Sequence, residues 1–350
     1  MSTDFGSPLG ANDWRLACRM TFGAIAGWAL ASLLSLPYAA FHAVYPLVLI
    51  GLSPGFDRHV ALQFLAAAPT GMIAAATMTG VLSVHPVLMT ASYLGFALAC
   101  FRMMTSPRRL FMFGAISLSV CSALVHYGSY PQVPWEQLYW SAAGALVFSV
   151  ASYFVAFALF PDVEPRTPAA PPPRTPEQRR HLVALCALAA TGSFAFFQMF
   201  EASDSLSAQM ATVLILLGLT HDGIWNAGRT RLSGSVIGSV HATLAQVAIQ
   251  SHSGFWPLTA TVFLVGLLWF SAGHARSRTG PGKGFAAVTA LAILFGQLQP
   301  SDDLIQNALY RSVSVVVAIL LMLVFVSLLH RMLNCLRATR WSGQTQGKLA

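Results

Sequence analysis

Charge is what this sequence has least of. Asp, Glu, Lys and Arg together make up 9% of its 350 residues, against about 25% in a typical soluble domain, which excludes an ordinary water-soluble fold. Cysteine is sparse as well. Cys18, Cys100, Cys121, Cys186 and Cys335 show no C-x-x-C and no paired spacing, which argues against a disulfide framework or a thiolate metal site; they read as packing residues in a reducing compartment. Catalytic signatures are missing too. There is no H-E-x-x-H, no G-x-S-x-G and no Walker A pattern, and the histidine pairs His221 with His241 and His252 with His274 lack metal-ligand spacing. No metal and no cofactor is therefore expected, and neither an enzyme nor an ATP-driven pump. Asp4 and Asp13 stand where a signal peptide would carry basic residues, and no small-residue cleavage site precedes the first apolar run. The first helix is expected to insert and stay.

What is abundant is apolar length. Hydrophobic residues make up 55% of the chain and the mean hydropathy is +0.62. The runs are long and rich in Ala and Leu, without the dyad alternation of an outer-membrane strand, and a helical span needs roughly 20 such residues. An all-α, polytopic membrane protein is expected, with about twelve spans near residues 17–36, 39–54, 60–82, 84–101, 109–127, 138–160, 181–200, 206–220, 232–250, 255–273, 285–299 and 308–330. Two of these, 39–54 and 206–220, are short enough to suit buried, tilted or broken helices rather than lipid-facing ones.

The few charges orient this arrangement, because short cytoplasmic loops are enriched in Lys and Arg. Placing the N-terminus inside puts 19 of the 20 basic residues on the inner side, from Arg15 and Arg19 to Arg340 and Lys348. The outer side receives only Arg311, with Glu136, Glu201, Asp204, Asp302 and Asp303. Both termini are thus expected in the cytoplasm. A basic surface of this kind serves topology, and nucleic acid is not expected as a partner.

The chain also repeats itself. LVLIGLS (47–53) matches LILLGLT (214–220), and Gly71 matches Gly238 at the same offset of 167; further on, LYWS (138–141) matches LYRS (309–312). PDVEPRTPAAPPPRTPEQRR (161–180) separates the halves, with proline too dense for a helix and suited to extended polyproline II. The expected organisation is a cytoplasmic N-terminus (1–16), a first six-helix repeat (17–160), this linker (161–180), a second repeat (181–331) and a cytoplasmic tail (332–350). Six spans return each repeat to its starting side, so the two are expected to run parallel about an axis along the membrane normal. Small residues recur every fourth position at Gly23, Gly27 and Ala31, at Ala67, Gly71 and Ala75, and at Gly234, Gly238 and Ala242. Such stripes let helix backbones approach closely.

Ionisable groups inside spans are the functional candidates, since a charge near a span's centre costs about 2.5–3.5 kcal/mol on insertion scales. His241 lies mid-span, where an imidazole can relay a proton, or simply bond to a neighbouring helix. Asp57 and Asp222 sit at matching inner turns, flanked by Arg58 and His59 and by His221, Arg229 and Arg231. They either line a vestibule or anchor helices at the headgroups. Arg311 either pairs with Asp302 or Asp303, or faces a cavity and holds a carboxylate through both guanidinium nitrogens.

The arginine-led first span RLACRMTFGAIAGWALA (15–31), the two six-helix halves, the R-x-x-G-x-x-x-G run of Arg231, Gly234 and Gly238, and the arginine-led last span at Arg311 carry a resemblance. The chain resembles the fusaric-acid-resistance and aromatic-acid-exporter superfamily of bacterial inner-membrane proteins. It is similar to a short branch, because larger relatives place a substantial cytoplasmic domain after each six-helix half and this sequence has only the proline linker and a short tail. The resemblance implies gradient-driven efflux of small organic anions, plausibly aromatic carboxylic acids, with Arg231 and Arg311 as the basic positions that carry over. It also implies a periplasmic adaptor of the membrane-fusion type as partner. Besides the anion, the lipid bilayer and a second copy of the chain are expected partners. A non-transporting scaffold or assembly subunit is the alternative, and a membrane-embedded enzyme using the inner acids a remoter one.

Overall fold

The computed structural model describes residues 9–53, 55–106, 110–130, 133–164, 174–201, 205–252, 255–277, 282–296 and 304–341. Twelve α-helices follow in order: α1 (Ala11–Leu33), α2 (Ala39–Leu52), α3 (Arg58–Val81), α4 (Pro86–Met104), α5 (Phe111–Gly128), α6 (Trp135–Leu159), α7 (Pro176–Met199), α8 (Leu206–Leu216), α9 (His221–Ile249), α10 (Trp256–Arg276), α11 (Lys283–Gly296) and α12 (Leu304–Cys335). No strand occurs among the described residues. In lipid, every backbone polar group must be satisfied within its own segment, and the helix does this. Nine of the twelve are long and apolar enough to cross a membrane; α2, α8 and α11 are the shorter ones. This is a multi-pass membrane protein.

Local chemistry sets several helix ends beyond the apolar pattern. The sequence predicts the seventh span from residue 181, but α7 begins at Pro176. Thr175 caps it, accepting from the Gln178 amide (3.3 Å) while its own amide donates to Gln178 Oε1 (3.1 Å). Proline at the first helical position fits there, because its missing N–H would be unpaired anyway. The linker's last residues are therefore helical, and its centre, 165–173, lies outside the described residues. Asp57 caps α3, accepting from the His59 amide at 2.8 Å.

Consecutive helices run antiparallel. α1 descends along α2, with Gly27 against the His42 carbonyl and Gly23 against Pro46 and Ile50. Pro46 lies inside α2 and has no N–H for that carbonyl four residues earlier. Only a glycine on α1 leaves room for it. Gly71 meets the Ser117 carbonyl of α5 in the same way, and Gly238 the Ala287 carbonyl of α11.

The two halves of the chain do not form separate bodies. α1, α2 and α6 pack with α9, α10 and α11, while α3, α4 and α5 pack with α7, α8 and α12. Adding six to each helix number converts one set into the other. Main pairings recur in step: α3 on α5 as α9 on α11, α1 on α10 as α7 on α4, and α2 on α11 as α8 on α5. The two interleaved bodies meet mainly along α9 with α12 and α3 with α6. Most described basic residues sit at the end of the bundle where α1, α3, α5, α7, α9 and α11 begin, hereafter the basic end.

Candidate functional site

A cavity of about 980 Å³ lies between the two bodies. Its walls are largely the four shortest helices: Tyr45 and Val48 come from α2, Val120 and Tyr127 from α5, Ser207 and Leu214 from α8, and Thr289 and Ile293 from α11. Short helices in the centre leave space that longer neighbours enclose. Arg231 and Ile249 of α9 both line it, and 18 residues at 1.5 Å each put them roughly 27 Å apart. The mouth lies away from the basic end, where Ser35, Pro37, Tyr38, Gln137 and Trp256 line it. No described residue of the basic-end connections does so.

Left-handed backbone marks the ends of two of these central helices. Among non-glycine residues, Ser35 (φ 50°) and Tyr38 (φ 53°) precede α2, Glu201 (φ 49°) precedes α8 and Leu219 (φ 58°) follows it. Each such residue costs of order 1–3 kcal/mol, so the chain bears strain where the central helices are attached. Burial raises the pKa of the Tyr38 phenol above its usual value, and the group is a neutral donor at the mouth.

Among the described residues Arg231 is the only charged one that lines the cavity, at the blind end. Its Nε is buried without a hydrogen-bond partner, and no ion pair to it occurs among the described residues. Tyr45 Oη and Ser207 Oγ on the walls are likewise buried and unpartnered. Unmet donors in a low-dielectric space are costly unless a ligand or water satisfies them. An anion meets that need, because a guanidinium offers paired donors that match a carboxylate. At the offset of 167 the counterpart of Arg231 is Phe64, 2% exposed and also lining the cavity. One wall offers a cation and the related wall a phenyl ring. Nearer the mouth, Trp28 stacks on Trp256 at 5.6 Å.

The other expected site residues fall elsewhere. His241 packs edge-on against Phe270 (ring centroids 5.3 Å) and beside Gly266, between α9 and α10 and outside the cavity lining. Asp57 is exposed at the basic end, where its amide donates to Tyr153 Oη at 3.0 Å. Asp222 is exposed there too, 3.2 Å from His221 Nδ1. No bond joins Asp57 to Asp222 among the described residues. Arg311 lies on α12, but its side chain is outside the described residues; its repeat counterpart Trp140 is 77% exposed. Phe64, Tyr45 and Ser207 were not singled out by the sequence. Only Phe64 had a signal there, as the residue 167 positions before Arg231.

Residues 185–325 match the family described as Fusaric acid resistance protein-like. The second half of the chain is thus similar to that family. Residues 16–156 match a family described as Protein of unknown function (DUF2955). Each match falls within one half, which accounts for most of the helical chain between them. No curated protein and no solved structure matches the chain. The similarity of its second half to that family points to a membrane protein of transporter type. Among the described residues no group of three or more His, Cys, Asp or Glu is placed to hold a metal ion.

Proposed function

We propose that this protein exports small organic anions, aromatic carboxylates among them, through the cavity that ends at Arg231. The observation that carries the reading is an arginine with an unpartnered, buried Nε as the sole charge among the described residues lining a largely apolar chamber. Arg231 holds the carboxylate, and Phe64 faces it from the related wall as a surface for the organic part. The basic end lies in the cytoplasm, with both termini, and the mouth faces outward. The two halves act as parallel repeats, a reading supported by the six-helix step in their packing. The site of exchange then lies on the axis between them.

Leaving a cell that is negative inside favours an anion by about 2.3 kcal/mol per charge per 100 mV. No described acid lines the cavity, and the potential suffices as the driving force. A periplasmic adaptor would receive the anion at the mouth; that part of the proposal rests on the resemblance. The test is binding and flux of a labelled aryl carboxylate with the purified protein in liposomes. Saturable, potential-dependent flux lost in Arg231→Gln supports export. Binding and flux indistinguishable between wild type and Arg231→Gln across a panel of weak acids would count against it.

A further inference from the structure

At the basic end, three histidines distant in sequence come together where α9 of one body meets α7 and α12 of the other. His181 Nε2 lies 2.8 Å from His330 Nδ1, and the His221 ring stacks on His330 at 4.6 Å. The protons in this cluster can be placed from its partners. The Trp341 amide donates to Asn334 Oδ1 at 2.8 Å, which leaves Asn334 Nδ2 to donate to His330 Nε2 at 3.1 Å. His330 must then carry its proton on Nδ1 and donate it to His181 Nε2. His181 in turn donates from Nδ1 to the Thr339 carbonyl at 2.6 Å. Every nitrogen of the relay is used once, with both rings neutral.

A second proton on either ring has no acceptor. On His181 it would face the His330 N–H; on His330 it would face the Asn334 amide, which cannot turn without losing the Trp341 N–H. The same region holds the bodies together, since Trp225 of α9 donates to Ser327 Oγ of α12 at 3.0 Å and Gly228 packs on Leu323. The charged neighbours leave the relay rings without a carboxylate. Asp222 on α9 pairs with His221 and acts on His330 only through space, with no bond to either relay ring. Arg229 lies over the Trp225 ring, Arg179 is held by the Arg102 carbonyl and Thr105, and Arg340 by the Asn334 carbonyl. Glu177, Arg180, Arg331 and Arg337 are exposed.

We propose that His181 and His330, with His221 stacked on them, form a proton-released clamp that keeps the two bodies and the segment after α12 closed at the basic end. Above the titration of the relay the clamp is shut, as observed beside a cavity open at the other end. Proton uptake breaks the relay, frees the Thr339 to Trp341 segment and loosens α9 from α12. On the orientation argued under Proposed function, acidification of the cytoplasm would open the inner side, the condition that an influx of weak acid creates.

The test is amide hydrogen exchange of the full-length protein in detergent, at about pH 7.5 and about pH 4, the lower value set well below the ordinary imidazole pKa of about 6.5 because a ring with no acceptor for a second proton takes it up only there. Protection corrected for intrinsic rates should fall by about tenfold or more at the lower pH in residues 330–341 and the first turns of α9. That pH-dependent part should vanish in His330→Gln and in His181→Gln, whether the variants are locked or loosened. Wild-type protection that does not change with pH overturns the clamp, and so does a pH response that survives both substitutions. No anion is present and both faces see one buffer, so this result stands or falls apart from the transport reading.

Discussion

The two seams between the bodies occupy related places in the fold and are closed by different chemistry. Where α3 meets α6, Phe56 stacks on Tyr153 and packs on Phe157, and Tyr153 Oη takes the Asp57 amide. Arg19 completes that side, 3.9 Å above the Phe157 ring and 2.6 Å from Asp162. Where α9 meets α12, the contacts are His221 on His330 and Trp225 on Ser327. One seam is aromatic and holds its charge in a fixed pair; the other is built of imidazoles. The cavity walls differ in the same sense, Phe64 on one side and Arg231 on the other. A common frame has been kept where helices touch and changed at the Phe64 and Arg231 walls and at the two seams.

The shared frame should fail in the same way on both sides. Gly71→Leu and Gly238→Leu each push a side chain into a facing carbonyl, and each should cost about 3 kcal/mol or more, seen as loss of monodisperse protein in size-exclusion chromatography. If one is tolerated, the two helix pairs are not equivalent. On the aromatic seam, Asp162→Ala leaves Arg19 charged, fully buried and unpaired, a loss of about 3–5 kcal/mol. It should lower the melting temperature without altering the pH response of the other seam.

The walls give the next largest contrast. Arg231→Gln removes charge-assisted bonds worth about 1.5–3 kcal/mol, so carboxylate affinity should drop roughly 10-fold to 100-fold. Phe64→Leu should cost only a few-fold by titration calorimetry, and an equal loss at both positions would remove the division of labour between them. The smallest effect belongs to His241→Ala. Its ring packs between α9 and α10 and away from the cavity, so flux should stay within about twofold of wild type, in line with the small effects of substitutions away from special contacts.

Much of the fold could be read from the sequence because the membrane imposes it locally. A run of apolar residues near 20 must become a helix, whatever lies beside it, and all twelve runs did so. The short runs at 39–54 and 206–220 proved to be α2 and α8, which line the cavity. Arg231 was legible as a candidate through its motif, whereas the choice between vestibule, anchor and cavity lay in packing. The histidine relay left no mark, since His181 and His330 are 149 residues apart and no spacing rule joins them.

The sequence by itself therefore determined the class of the protein, the number of its helices and where its basic residues would gather. These follow from the free energy of each segment in lipid and water, a property of the segment alone. Which helices share a body was decided only by tertiary structure, and so were the meeting of Phe64 with Arg231 across one space and the contact of three histidines at a seam. Those depend on which backbones can approach closely, at Gly27, Gly71 and Gly238, and on where short central helices leave room between long ones.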